Sequence, residues 1–242
     1  MAEPSRLAPP LEDDAGTLRN GDLVTLMHWL SPAFPVGAFA YSHGLEWAAR
    51  EGVITDRESL GQWIGDLLQH GSGWNDAVLF AESHRAAAAR DGEGLAALAE
   101  LARAMAPSKE RALETLAQGE AFLAHMAPWP SAALGLLAEN AGGPVAYPVA
   151  VAAATAGRGI ALEAALSAYL QAFAVNLVAA ALRLMPLGQS EGVAALAGLC
   201  DIVLAVARRA ARSGLNDLGS ATMASDIAAM AHETQYSRVF RS

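Results

Sequence analysis

The stretch TDRESLGQWIGDLL, residues 55–68, decides the fold class. Thr55 and Glu58 stand at the spacing of a capping box. Leu60, Trp63, Ile64, Leu67 and Leu68 then recur at i, i+3, i+4, i+7 and i+8, the period of an amphipathic helix. Gly71 and Gly73 end it. The composition around it points the same way: 53% of residues are hydrophobic, alanine dominates and aromatics make up only 6%. Few residues favour a pleated sheet and many favour a helix. The expectation is an all-α protein, a single-domain bundle of about ten helices with a Pro/Gly-rich loop near its N-terminus.

Outward from that helix the punctuation repeats. Residues 1–21 combine Pro4, Pro9 and Pro10 with Glu12, Asp13 and Asp14 and show no apolar period, which reads as a flexible leader. A short helix is expected over Asp22 to Leu30 and another from Asn75 towards Ala89. After Gly92 and Gly94, Leu95, Leu98, Ala102 and Met105 share a face. Ser108 is placed to cap the next helix, with Leu113, Leu116, Phe122 and Leu123 as its apolar stripe. Gly142-Gly143-Pro144 and Pro148 mark a bend. A long helix follows from Leu162 to Met185, uncharged over residues 164–182, and reads as a fully buried central helix. Within it Asn176 needs a hydrogen-bond partner across a helix interface. Val193, Leu196, Cys200, Val203, Leu204 and Ala207 define one more helix face. Arg208, Arg209 and Arg212 then complement the helix dipole at its C-terminal end. The domain spans 22–230, and 231–242 is a polar tail expected to take shape on a partner.

Between the first two helices lies SPAFPVGAFAYSHGLEW, residues 31–47. Pro32 and Pro35 fix their own φ and restrict the residue before, and Gly37 can take positive φ, so no helix runs through. Ser42 is placed to cap the turn that carries Leu45, Glu46 and Trp47. A stiff backbone bearing Phe34, Phe39 and Tyr41 suits protein recognition, because little conformational freedom is lost on binding.

Several functions are excluded or disfavoured. A net charge of −9 and a pI near 5.1, without a basic run, argue against nucleic acid as partner. Lys109 is the only lysine and lacks the glycines of a phosphate loop, and no GxGxxG follows a strand, so no cofactor is expected. The six histidines, His28, His43, His70, His84, His125 and His232, are dispersed, with no pair at i, i+4 for a metal. Ser42 and His43 lack a nucleophile elbow, so catalysis is not expected; a small metal- or Ser-dependent hydrolase is the alternative reading. The single Cys200, the missing signal sequence and the polar interruptions at Ser167, Gln171 and Asn176 favour the cytoplasm over a membrane.

The segments Pro35-Val36-Gly37-Ala38-Phe39 and Tyr41-Ser42-His43-Gly44-Leu45-Glu46 resemble the signature of UreF, the urease accessory protein family. Further matches are Tyr147-Pro148-Val149-Ala150, Val175-Asn176-Leu177-Val178, Arg183 through Gln189, and Asp226-Ile227 through the final His232 to Ser242. Ser108-Lys109-Glu110 is a weaker match, with Ala112 where relatives are expected to carry arginine. The resemblance implies a non-catalytic, all-helical chaperone of metallocentre assembly. It would be a homodimer that joins UreD (also called UreH) and the GTPase UreG to insert nickel into apo-urease. The partner-interface residues it implies are Pro35, Gly37, Phe39, Tyr41, Ser42 and Glu46 in the loop, facing UreG or the dimer. In the tail they are Glu233, Tyr236, Arg238, Phe240 and Arg241, facing UreD. Tyr236 and Phe240 would anchor there side by side should the tail turn helical.

Overall fold

The computed structural model describes residues 18–242. Among them are eleven α-helices and two single 3-10 turns, with no strand: α1 Asn20–Trp29, α2 Leu45–Arg50, α3 Arg57–His70, α4 Ser72–Ala89, α5 Gly92–Ala104, α6 Lys109–Ala124, α7 Ala132–Asn140, α8 Tyr147–Gly157, α9 Leu162–Leu184, α10 Gln189–Ala210 and α11 Met223–His232. The chain is an all-α single domain. Of the leader assigned to residues 1–21, all but the last four lie outside the described residues, and Asn20 and Gly21 already belong to α1.

The capping box before α3 forms one residue later than its sequence suggests. Asp56 is the N-cap, its side chain accepting from the Ser59 amide at 2.9 Å while Ser59 Oγ accepts from the Asp56 amide at 3.1 Å. A carboxylate outcompetes the Thr55 hydroxyl for amides at a helix N-terminus. Leu60, Ile64, Leu67 and Leu68 are buried as their spacing requires. Gly73 does not break the chain but sits inside α4.

The centre of the bundle is α8, which the sequence pattern does not single out. Its residues from Pro148 to Thr155 are all buried, and it packs against α4, α6 and α7. Valine and alanine fill this helix all round, so it has no polar face to reveal a period. The longer α9 is instead half-buried along its apolar window, and α10 only one-third buried, although both are long and apolar enough to cross a membrane. On α10 the buried set is Gly192, Ala195, Leu199, Val203, Val206, Ala207 and Ala210. Only Val203 and Ala207 of the face read from the sequence point fully inward, while Val193, Cys200 and Leu204 are exposed. The side that packs on α3 and α9 is chosen by small residues that admit a close neighbour, not by the largest apolar ones.

Helix α6 reverses the expectation more sharply. Leu113 is exposed, and the inward face carries Glu110, Arg111, Glu114 and Gln118 with Phe122. Glu110, Glu114 and Gln118 recur at i, i+4 and i+8, so the helical period was present in residues that ordinarily face solvent. Beyond them Gly119 lies against the start of α8, where an added Cβ would stand 1.9 Å from the Val145 carbonyl oxygen.

A methyl group at Gly119 therefore meets backbone that cannot yield. Gly119→Ala is expected to cost about 3 kcal/mol or more and lower the melting temperature by roughly 6–12 °C. Gly61→Ala, whose Cβ would enter open space inside α3, is expected to raise it through helix propensity, by about 1 kcal/mol. Thermal unfolding followed by circular dichroism compares the two.

Candidate functional site

The Pro/Gly segment turns its aromatic residues in opposite directions. Phe34 is buried against Phe122, with ring centroids 5.4 Å apart, and Trp29 meets both Phe122 and Trp129 edge-on. Tyr41 is buried as well, whereas Phe39, on the 3-10 turn Ala38–Ala40, is 73% exposed and Pro35 is exposed. Gly37, at φ 73°, opens that turn. The chain then enters α2 through two consecutive residues with positive φ, His43 at 62° and Gly44 at 80°. Gly44 is the N-cap position, where a Cβ would lie 2.8 Å from the Ala229 amide of α11, while Ser42 Oγ accepts the Glu46 amide of the first turn at 3.3 Å. A non-glycine residue in the left-handed region must be held by its surroundings. His43 is held on three sides: Nδ1 lies 3.3 Å from Glu114, Nε2 lies 2.5 Å from Ser72 Oγ, and the ring meets Phe173 edge-on.

Glu46, on the first turn of α2, is buried and organises the C-terminal residues. Its carboxylate accepts the amides of Val239 and Phe240, each at 2.8 Å, and the Gln235 amide nitrogen at 3.3 Å. His232, fully buried at the end of α11, stands between two carboxylates, with Nε2 3.2 Å from Glu46 and Nδ1 2.6 Å from Glu110. Arg238 donates to the other oxygen of Glu110 at 2.6 Å. Farther along, the Arg241 amide donates to the Ala40 carbonyl at 2.8 Å, and the amide and hydroxyl of Ser42 both donate to the Ser242 carbonyl. Ser242 Oγ donates to Glu114 at 2.8 Å. The Arg183 guanidinium covers the Phe240 ring at 4.3 Å and donates to the Phe39 carbonyl at 2.6 Å, joining α9, loop and tail.

The tail is thus neither free nor helical. Phe240 is buried, Tyr236 is fully exposed and Val239 largely so, and the two aromatic residues face opposite ways instead of forming a pair. Glu233 accepts the Lys109 amide at 2.9 Å and caps α6 from outside. Arg241 lies 5.9 Å from the Tyr41 ring. Of the residues singled out from the sequence, Tyr41, Ser42, Glu46 and Phe240 converge inside, while Pro35, Phe39 and Tyr236 remain accessible. The sequence reading missed Glu110, Arg111, Glu114, Arg183 and His232 as members of this cluster. The i, i+4 pair Glu110 and Glu114 was the available signal.

Beneath the clamp the charges continue inward. Burial would raise the Glu114 carboxyl, but Arg111, 2.5 Å away, together with His43 holds it well below the usual carboxylate range. Burial, assisted by Arg111, lowers His43 to about 4. Asp76 of α4 accepts from the Tyr169 hydroxyl of α9 at 2.9 Å, and burial raises it to about 6 against the pull of Arg111. Among the described residues no three His, Cys, Asp or Glu side chains gather as a metal site.

This is a helical protein whose distinctive cluster locks its own loop and tail together and leaves Phe39 and Tyr236 on the outside. The family model of UreF matches residues 54–200. The urease accessory protein UreF of Mesorhizobium japonicum is 54% identical over 220 residues, covering 91% of this chain and 96% of that protein. That of Methylorubrum populi is 51% identical over 222 residues (91% and 99%), and UreF 1 of Brucella canis is 50% identical over 233 residues (96% and 98%). The chain belongs to the UreF family, an accessory family and not a catalytic one.

Glu46→Ala leaves the Val239 and Phe240 amides without their acceptor and His232 with Glu110 alone. It is expected to cost about 3–5 kcal/mol and to speed hydrogen exchange at the Val239 and Phe240 amides, whereas Glu233→Ala, which removes one helix cap, costs about 1 kcal/mol. Asp76 and His43 act oppositely on acid stability. His43, with its folded value below the unfolded one, loses stability as pH falls from about 6.5 towards 4. Asp76, with its folded value above the unfolded one, loses stability as pH rises from about 4 through 6. Asp76→Asn is therefore expected to stabilise the fold at pH 7.5, by about 2 kcal/mol, with the gain fading towards pH 4. Urea unfolding across that range reads it directly.

Proposed function

We propose that this chain is the non-catalytic adaptor of urease maturation, joining UreD (UreH) and the GTPase UreG in the complex that delivers nickel to apo-urease. The observation that carries the proposal is the two-sided tail: Phe240, Ser242 and Glu46 fix its inner side, and Tyr236 and Val239 stand outside it. Met223, Ile227 and Met230 of α11 recur at i, i+4 and i+7 and are exposed, so the adjoining helix offers an apolar stripe of its own. Apolar and aromatic anchors on a rigid frame are what a protein interface requires. This face is the one we assign to UreD. Phe39, raised on its 3-10 turn beside Pro35 and Gly37, is assigned to UreG or to the second copy in a homodimer. In this reading the chain is soluble, works in the cytoplasm and acts without a bound cofactor, GTP being handled by UreG.

Tyr236→Ala is expected to leave the melting temperature unchanged and to weaken co-purification with UreD by about 2 kcal/mol, roughly thirtyfold. Deleting residues 237–242 should abolish it. Size-exclusion chromatography of the chain mixed with UreD and UreG measures both effects. Unchanged recovery of the complex with either variant refutes the assignment of the tail, and a fully assembled complex with Phe39→Ala refutes that of the loop.

A further inference from the structure

His43 and Ser72 stand in a relation that the adaptor reading does not use. The Ser72 hydroxyl lies 2.5 Å from His43 Nε2, and His43 Nδ1 lies 3.3 Å from a carboxylate oxygen of Glu114 on α6. Glu114 stays ionised against its burial because Arg111 and His43 lower it, so it accepts the ring proton at Nδ1 and leaves Nε2 bare towards Ser72. Burial keeps the imidazole neutral by lowering it to about 4, with Arg111 adding to the effect. A hydroxyl, a neutral base and a carboxylate that orients the base are the three members of an activated nucleophile. Backbone strain marks the same place, for His43 sits at φ 62°, a conformation that a residue other than glycine keeps only when its surroundings impose it.

Ser72 is the first residue of α4, between Gly71 and Gly73, and opens onto a cavity of about 80 Å³. On a measure in which one water takes about 10–15 Å³, that is room for several water-sized groups. Met105 and Pro107 give it an apolar wall. Arg111 reaches the same cavity. It is more than nine-tenths buried, and its Nε and Nη1 have no hydrogen-bond acceptor, although Nη1 lies 2.5 Å from Glu114. No side chain caps the first turn of α4, so its leading amides are open as well. Unpartnered N–H groups in the space before a nucleophile are what a carbonyl oxygen requires as it gains charge. Asp76 and Asp226 line the remainder and disfavour an anionic guest.

We infer that Ser72 is a nucleophile for small uncharged acyl groups, with His43 as its base and Glu114 as the residue that positions His43. The Ser72 proton passes to His43 Nε2 as Oγ bonds to the carbonyl carbon of an activated ester. The ester C–O bond then breaks and the departing alcohol takes that proton from His43, leaving an ester on Ser72 and the histidine neutral. Nothing is oxidised or reduced, and the change is one covalent modification of the chain, which accords with membership of an accessory family. The inference goes beyond the adaptor reading and is independent of it, because all of these groups belong to the isolated chain.

The probe is p-nitrophenyl acetate. Mixed with the full chain, it is expected to release p-nitrophenol in a burst of about one equivalent and to leave an acetyl group on the peptide that contains Ser72, identified by mass spectrometry. Ser72→Ala should abolish the burst. His43→Asn, chosen because asparagine tolerates positive φ, should slow it at least about a hundredfold. The ring ¹⁵N shifts of His43 are expected to show Nδ1 protonated and Nε2 bare, a preference that Glu114→Gln should remove while slowing the burst. If His43→Asn or Glu114→Gln does not fold, Ser72→Ala and the ring shifts of the unaltered chain decide. An unacetylated Ser72, a burst undiminished in folded His43→Asn, or a ring proton on Nε2 overturns the proposal.

Discussion

A carboxylate withdrawn from water is tolerated only when its oxygens are met by donors, because the solvation it loses is worth several kcal/mol. Glu46 satisfies that condition with groups that lie almost two hundred residues away in the chain: two backbone amides, a carboxamide and an imidazole. The need to satisfy one buried side chain therefore draws the end of the polypeptide onto its beginning. Glu110 and Glu114 extend the arrangement along α6, each engaging a residue from the tail or from α11. Loop, α2, α6 and tail form one unit because no acidic group among them can be left without a partner.

The helices themselves owe their places to a different rule. Apolar burial sets α3, α4 and α8 in the interior, and α8 reaches the centre because its valines and alanines allow neighbours on every side. The polar cluster lies off this axis, where α11 meets α2 and α6. Packing fixes the scaffold and electrostatics fixes the loop and tail upon it. The left-handed pair at His43 and Gly44 lies on the boundary between the two, with its backbone shape imposed by the charged side and its close approach to Ala229 by the packed side.

Amphipathic helices with ordinary faces were legible in the sequence, as the Leu60, Ile64, Leu67 and Leu68 stripe of α3 illustrates. Where the periodic signal was carried by the wrong residue type, reading failed. Glu110, Glu114 and Gln118 follow a helical period as faithfully as any leucines, but a polar stripe is ordinarily taken for the solvated side. The all-apolar α8 presents the opposite difficulty, having no period at all. Glu46 was recognised through family resemblance as a site residue, yet its role depends on donors so distant in the chain that no local pattern could reveal them. Tyr236 and Phe240 show the same limit: identical in promise as aromatic anchors, they are separated only by which side of an irregular backbone each one takes.

That opposition of Tyr236 and Phe240 makes the exterior conditional on the interior. Tyr236 is displayed in a defined place only when Phe240 has found its seat beneath Arg183 and when Glu46 has gathered the neighbouring amides. A chain with an unfinished core has no such display to offer.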